Sequence, residues 1–355
     1  MKNLKSNVIK RGLDTLYFTG AYKALASGWQ GVGAIFMLHH VRKGADGDHD
    51  SRFAPNGILE ITPEFLDAVI AHVKALGLDI VSLDEAHRRL VEQDFSNRFV
   101  CFTFDDGYLD NLEIAYPVMK RHECPFAIYV ATSFPDGQAE LWWLALERII
   151  ARNTHLDVEL NGQLLSLDCA DIREKYAAWD KIYWPLREMS EADQRAFMRR
   201  FAKAHDVDMT RFSRDLSMNW AQILELSTDP LVTIGAHTVN HLAIGKLDTA
   251  GMHREVTRSR DIIERQTGQV PAHFCYPYGD RDSAAAREFD YLEEIGFKTA
   301  VTTRKGVLFA EHAQHLTALP RISLNGDYQS IRYVDLFLSG APFALWNRFR
   351  KINAA

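Results

Sequence analysis

Short apolar runs alternate with helical patterns along most of the chain. Each run is almost continuously apolar, which is typical of parallel strands buried on both faces. The runs lie at residues 33–39, 78–81, 99–105, 126–130, 231–237, 273–276, 299–303 and 319–324. Between them, Thr62 and Pro63 supply an N-cap and a first-turn proline, and further helical patterns lie at 111–122, 250–266 and 283–295. This alternation, with about seven or eight strands, predicts an α/β barrel rather than a sandwich.

The stretch from about 140 to 229 departs from this alternation. It has a helical pattern at 141–150, a hairpin signal at Asn161-Gly162 and charged helical sequence at 170–205. We therefore expect a largely helical insertion between two barrel strands. Its tryptophans are candidate sugar platforms, although packing between helices is the commoner role of such residues. They are Trp142, Trp143, Trp179, Trp184 and Trp220.

The domain organisation follows from these patterns. We expect an N-terminal amphipathic helical segment at 1–32, the barrel with its insertion at 33–330, and a C-terminal helical tail at 331–355. Polar residues such as Asp14 and Lys23 interrupt the apolar sequence of the first segment, so no secretion signal is predicted. No apolar run reaches the ~20 residues of a membrane-spanning helix. These features favour a cytoplasmic location and leave peripheral contact of the amphipathic start with a membrane as an alternative.

Composition argues against some classes of binding partner. The formal net charge is −6 and the basic residues are scattered, which argues against nucleic-acid binding. The four cysteines are far apart and form no C-x-x-C pair, so neither a disulfide framework nor a cysteine metal site is expected. The sequence gives no indication of the oligomeric state.

Two adjacent carboxylates end one of the apolar runs, in Thr103-Phe-Asp-Asp-Gly-Tyr108. Barrel enzymes carry their catalytic groups at the carboxyl ends of strands. Asp105 and Asp106 would point to opposite faces of a regular strand, so both reach one site only where the chain turns. Gly107 permits such a turn. The alternative is an ordinary turn or helix-capping pair of aspartates.

Two histidines follow another run, in His237-Thr-Val-Asn-His241. On a helical turn, residues four apart lie on one side, so both imidazoles can bind one ion. Thr238 stands where the helical zinc motif has its glutamate base, so the base must come from elsewhere. Two histidines and one carboxylate form a three-ligand set typical of a catalytic Zn²⁺-like ion, and the second carboxylate of the aspartate pair can be the base.

A third run ends in Phe274-Cys-Tyr-Pro-Tyr-Gly-Asp280. Its proline and glycine predict a turn that can direct a backbone N–H toward a developing oxyanion, or an ordinary strand end. Together the three motifs resemble those of the polysaccharide deacetylases, the NodB-homology group of carbohydrate esterase family 4. The resemblance covers roughly residues 33–324, and the third motif matches only at its end, Pro277-Tyr-Gly279.

This resemblance implies a distorted (β/α)7-type barrel that hydrolyses N-acetyl groups from an N-acetylglucosamine-containing polysaccharide or oligosaccharide, as chitooligosaccharide deacetylases do. It implies that Asp106, His237 and His241 bind a divalent metal, Zn²⁺ first, with Co²⁺ or another first-row ion as alternatives. Asp105 then corresponds to the catalytic base, and the Tyr278 N–H to the oxyanion donor. Beside the motifs, we expect three residues to contact the sugar: Tyr108, Tyr276 and Pro277.

Two departures from the family pattern concern the groups around the base. Cys275 stands where the third motif usually begins with an arginine, and Arg321 is the candidate to orient Asp105 instead. The late leucine-x-x-histidine motif that supplies the general acid is missing. His39 resembles the histidine with this role in the poly-N-acetylglucosamine deacetylase branch, and His40 is the alternative. We expect His39 to lie across the metal from Asp105.

Two other functions remain open at this level. One is deacetylation or deformylation of a lipid-linked amino sugar at a membrane face, which the amphipathic start would suit. The other is a carbohydrate-binding relative with weak catalysis, since the two departures remove groups on which the family's chemistry depends.

Overall fold

A closed barrel of parallel strands forms the centre of the protein. The computed structural model describes residues 2–43 and 53–354, with side chains from residue 8 onward in the first helix. The strands are β1 (Gly33–Leu38), β2 (His40–Val41), β3 (Glu60–Ile61), β4 (Asp79–Ile80), β5 (Phe99–Phe104), β6 (Phe126–Val130), β7 (His155–Leu160), β8 (Gln163–Asp168), β9 (Val232–Ala236), β10 (His273–Cys275), β11 (Thr299–Lys305) and β12 (Leu319–Ser323).

The barrel closes because β1 pairs on both sides. Phe36 is in register with Ile322 of β12 and with Phe102 of β5, which completes a ring in the order β1-β12-β11-β10-β9-β6-β5. The short strand β4 pairs with β5 from outside this ring. The predicted distorted (β/α)7-type barrel is therefore confirmed. Since all pairs in the ring are parallel, the residues that follow its strands meet at one carboxyl edge.

Helices cover the barrel, and further helices precede its first strand and follow its last strand. They are α1 (Lys2–Phe18), α2 (Ala21–Trp29), α3 (Pro63–Ala75), α4 (Leu83–Glu92), α5 (Tyr116–Arg121), α6 (Trp142–Arg152), α7 (Ile172–Glu188), α8 (Glu191–Ala204), α9 (Met209–Leu216), α10 (Trp220–Ser227), α11 (Thr249–Thr267), α12 (Ala286–Glu294), α13 (Ile331–Leu338) and α14 (Ala341–Trp346). The predicted start of α3 is confirmed, since the Thr62 side chain accepts from the Phe65 N–H.

Two helices make up the N-terminal segment, which the sequence predicts to be helical. Gly20, with φ of 72°, separates α1 from α2 because this left-handed conformation ends one helix and starts the next in a new direction. Among the helices in the described ranges, none has the length and apolar content needed to cross a membrane.

A second layer of structure interrupts the barrel between β6 and β9. It contains α6 to α10 and the antiparallel hairpin β7–β8, whose strands pair with each other rather than with the ring. Most of its apolar residues, including Trp142, Leu146 and Trp179, form a second hydrophobic core, whereas Ile223 and Leu226 of α10 pack into the core of the barrel. We refer to residues 140–229 as the inserted segment.

Gly340 offers a test of how the C-terminal helices dock on α2. A Cβ at this position would lie 1.7 Å from the Trp29 carbonyl oxygen, whereas one at Gly268 would meet nothing within 4 Å. Both glycines have a φ of about 70°, so alanine costs about 1–2 kcal/mol of backbone strain at either. We expect Gly340→Ala to lower the free energy of unfolding by clearly more than Gly268→Ala in denaturant titrations. Equal losses would contradict this docking.

Candidate metal centre and active site

The two aspartates of the first motif reach one site because the chain turns sharply at Asp106 and Gly107. The Asp105 N–H still donates to the Leu38 carbonyl, which continues the ladder between β5 and β1. Asp106 and Gly107 then adopt φ values of 75° and 72°. The left-handed conformation is unfavourable for aspartate, and it brings both carboxylates to the barrel mouth, where each is nearly fully buried.

Arg321 from β12 holds the Asp105 carboxylate with paired hydrogen bonds. The two terminal nitrogens donate to Oδ1 and Oδ2 of Asp105 at 2.7 Å each. Arg321 is only 1% exposed, and its remaining N–H groups donate to the Thr302 carbonyl, the Thr103 hydroxyl and the Cys275 sulfur. The small Cys275 side chain leaves room for this guanidinium, which lies 3.1 Å from its sulfur.

This pairing determines the charge of the carboxylate. Burial by itself raises the pKa of Asp105, but the charge of Arg321 and its hydrogen bonds outweigh burial and hold the pKa below its ordinary value. Asp105 is therefore an ionised, oriented group beside the metal-binding candidates.

Asp106, His237 and His241 converge on one point. Oδ1 of Asp106 lies 3.4 Å from Nε2 of His237 and 3.3 Å from Nε2 of His241. Two ligands bound at ~2.1 Å in a tetrahedral set are about 3.4 Å apart, whereas a hydrogen bond would be shorter. In the described part of the chain, this buried oxygen of Asp106 has no hydrogen-bond partner. These three residues therefore fit a divalent ion such as Zn²⁺.

The two histidines lie on a loop, which corrects the expected helical turn. Thr238 and His241 have φ values of 65° and 54°, and the segment after β9 has no helical hydrogen bonding. Glu255 of α11 holds the loop instead, accepting from the N–H groups of Val239 and Asn240 and from the Asn240 side chain. His237 Nδ1 lies 2.6 Å from the Cys275 carbonyl, which leaves Nε2 for the ion.

A second candidate ligand set, made of Asp105, His237 and Cys275, is chemically poorer. Both Asp105 oxygens already accept from Arg321, and so does the Cys275 sulfur. Burial raises the pKa of the Cys275 thiol, and a thiol must lose its proton to bind a metal. The set with two histidines and Asp106 is therefore the better candidate for a metal site.

His39 and His40 occupy different environments. Nε2 of His39 lies 3.7 Å from Oδ2 of Asp105, so it stands beside this carboxylate rather than across the site as expected. His40 is bound to Asp110 at 2.7 Å and stacks on the Tyr108 ring at 3.7 Å. The His40 ring is occupied by these contacts. His39 is therefore the histidine that lies beside the Asp105 carboxylate.

The inserted segment contacts the loops of the second and third motifs. Trp142 donates to the Tyr278 hydroxyl at 3.0 Å, and the Arg187 guanidinium lies 3.6 Å above the Tyr278 ring. Glu191 accepts from the Ala243 N–H, beyond the histidines. Tyr278 itself has a φ of 62°. These contacts fix the side chain of a strained residue whose N–H is the candidate oxyanion donor, and the motifs alone did not indicate them.

The residues expected to contact the sugar need correction. Tyr108 and Tyr276 are 1% and 0% exposed, respectively. Tyr108 stacks on His40, and the Tyr276 hydroxyl donates to the Thr317 carbonyl. Pro277 is buried as well. Among the tryptophans of the inserted segment, Trp184 is the exposed one at 52%, which leaves it as a candidate platform.

Comparison with known proteins finds similarity to polysaccharide deacetylases in part of the sequence and in the fold. A family model described as polysaccharide deacetylase matches residues 193–300. This range begins within the inserted segment and includes His237, His241 and Tyr278, but it does not include Asp105 or Asp106. No curated protein matches the chain by sequence.

Solved structures with this fold carry similar names. The Streptococcus pyogenes deacetylase PplD, in complex with acetate, is 17% identical with a TM-score of 0.56, and the match covers 86% of this chain and 97% of PplD. A de-N-acetylase from Aggregatibacter actinomycetemcomitans is 14% identical with a TM-score of 0.53, over 86% and 99% of the two chains. A putative polysaccharide deacetylase from Bacillus anthracis is 13% identical with a TM-score of 0.52, over 87% and 68%. These findings confirm the resemblance that the motifs gave.

The buried pair of Arg321 and Asp105 predicts strong coupling in stability. In metal-free protein, Arg321→Met leaves an unpaired buried carboxylate and should lower the free energy of unfolding by about 3–5 kcal/mol. Adding Asp105→Asn removes that charge, so the double variant should lose less than the sum of the two single variants. Denaturant titration of all four proteins measures the coupling. Additive losses would mean that the pair contributes little.

Proposed function

We propose that this chain is a polysaccharide deacetylase, a metal-dependent enzyme that removes N-acetyl groups from an N-acetylglucosamine-containing polysaccharide or oligosaccharide. The observation that carries the proposal is that the two adjacent aspartates have different partners. Asp106 has a free oxygen directed at two histidines, whereas both oxygens of Asp105 are held by Arg321. Asp106 is therefore suited to bind a metal ion, and Asp105 is suited to act as the base.

Asp106, His237 and His241 would hold the ion, which as a Lewis acid polarises the acetamide carbonyl and lowers the pKa of a water molecule. Asp105 removes the proton of the attacking water, and its pairing with Arg321 keeps it ionised and oriented for this step. In the described chain, the Tyr278 N–H donates to no other group, so it is free to donate to the oxyanion.

His39 gives a proton to the leaving nitrogen, which is a poor leaving group unless it is protonated. Burial lowers the pKa of His39 more than the charges of Asp105 and Asp106 raise it. The imidazole is therefore less often charged than a free histidine before reaction. Since Asp105 lies 3.7 Å from His39, the proton that Asp105 takes from water is a nearby supply for the imidazole.

The retained base argues against the alternative of a carbohydrate-binding relative with weak catalysis. The missing arginine of the third motif has a substitute with paired hydrogen bonds to Asp105. The missing late histidine has a candidate substitute in His39, beside the same carboxylate. A protein that only bound sugar would gain nothing from a buried, oriented carboxylate next to a metal site, because burying such a charge is costly.

Substitutions of the adjacent aspartates separate the two roles. Asp105→Asn should reduce acetate release from N-acetylglucosamine oligomers by about 10²–10⁴-fold while bound metal stays near one equivalent. Asp106→Asn should lose the metal. Elemental analysis of the purified proteins and an acetate assay give the two readouts. Loss of metal in Asp105→Asn, with retention in Asp106→Asn, would show that the roles are exchanged.

The general acid is tested by changing the leaving group. His39→Ala should slow hydrolysis of the N-acetyl amide by about 10²-fold or more. It should hydrolyse an activated acetyl ester such as p-nitrophenyl acetate at nearly the wild-type rate, because that leaving group needs no proton. His315→Ala, on an exposed loop, is the matched control. Equal losses on amide and ester would assign His39 a structural role.

A further inference from the structure

A cavity of about 520 Å³ lies between the loop after Tyr278 and the C-terminal segment. We call it the C-terminal cavity. Its lining includes five cationic side chains and one aromatic ring: Arg281, Arg304, Lys305, Arg348, Arg350 and Trp346. The volume is within the range of sites for small ligands.

The cations of this cavity have no anionic partners in the part of the chain that the structure describes. No ion pair involves Arg281, Lys305, Arg348 or Arg350, and Arg304 donates to the carbonyls of Asn353 and Ala284. Asp280 is the carboxylate in the lining, and it accepts from Arg187 and Ser283 instead. In a protein with a formal charge of −6, such a concentration of unpaired positive charge favours an anionic ligand.

One buried donor of the wall also lacks a partner. Arg304 is 8% exposed, and its Nε has no hydrogen-bond partner among the described residues. Burial, and after it the charge of Arg281, lowers the pKa of Arg304, whereas Tyr276 and the charge of Asp280 raise it. An anion in the cavity would act in the same direction as Asp280 and favour the charged guanidinium.

The cavity is joined to the active site through the third motif. Thr303, in its lining, donates to the Tyr278 carbonyl at 2.6 Å, and Tyr278 packs on His241 with ring centroids 4.9 Å apart. Trp346 is 57% exposed, with the Lys305 ammonium 4.0 Å from its ring centre. An exposed indole beside cations suits a sugar ring that carries a negative charge.

We propose that the C-terminal cavity binds a phosphate or carboxylate group carried by a sugar of the substrate glycan, so that the enzyme prefers anionic over neutral chains. This inference rests on the proposed function for its link to turnover. A membrane surface is the competing partner, because Leu345 and Phe349 are exposed nearby. The concave cavity and the hydrogen bond from Thr303 in its lining to the Tyr278 carbonyl favour the glycan, because they connect the bound group to the candidate active site.

The first test compares the metal-loaded enzyme on two N-acetylglucosamine oligomers of equal length, one neutral and one bearing a single glucuronic acid or phosphate. The wild type should show a KM about tenfold lower for the charged oligomer, and this preference should shrink at high salt. In the double variant Arg348→Ala/Arg350→Ala the KM ratio should fall to within about twofold. Lys351→Ala, whose residue pairs with Glu311 outside the lining, should keep the wild-type ratio.

The second test does not depend on turnover. Calorimetry on the Asp105→Asn holoenzyme compares N-acetylglucosamine 6-phosphate with N-acetylglucosamine. The phosphorylated sugar should bind more tightly. This difference in affinity should disappear when Arg348→Ala and Arg350→Ala are added to the same protein. If the wild type releases no acetate from any oligomer, the proposed function fails. The calorimetric comparison would still show whether the C-terminal cavity binds an anionic sugar. Equal binding of both probes overturns the inference. Loss of binding to phosphatidylglycerol vesicles in the double variant, without any charge preference among oligomers, would assign the surface to a membrane.

Discussion

The buried pair of Arg321 and Asp105 is the interaction around which the barrel mouth is arranged. It spans the interior from β12 to the end of β5, and β1 lies between these strands. Burying two charges is costly unless their hydrogen bonds are complete, and the guanidinium has an acceptor for each N–H. The strand register that closes the barrel is therefore the register that leaves Asp105 ionised and oriented, so fold and site depend on the same contacts.

Backbone strain is concentrated where this mouth is built. Asp106, Thr238, His241 and Tyr278 all have positive φ without being glycine. Each such residue is unfavourable by itself and persists only when its surroundings determine it. Here the surroundings are identifiable: Glu255 holds the histidine loop, and Trp142 with Arg187 holds Tyr278. The candidate site is thus held in place by groups other than its candidate metal ligands and base.

The sequence predicts the barrel and the chemical groups better than their local geometry. Continuous apolar runs identify parallel strands because both faces of such strands are buried, and polar residues at their ends reveal the mouth. A spacing of four between His237 and His241 cannot distinguish a helical turn from a loop, because the deciding contact comes from Glu255 in a later helix. Likewise, Tyr108 and Tyr276 adjoin the motifs, but neighbours along a chain point in different directions, and both rings are buried.

The loop from Tyr278 to Ser283 connects the parts of the molecule that the motifs do not describe. The inserted segment reaches it through Arg187, which donates to Asp280 and lies over the Tyr278 ring. The barrel strand β11 reaches it through Thr303, which also lines the C-terminal cavity. A ligand in that cavity and a chain bound along the inserted segment would therefore both contact elements that hold the proposed oxyanion donor. Binding energy from remote groups increases a reaction rate only when it stabilises the transition state more than the bound substrate. Under the proposed function, this loop would therefore link binding of the glycan to stabilisation of the oxyanion.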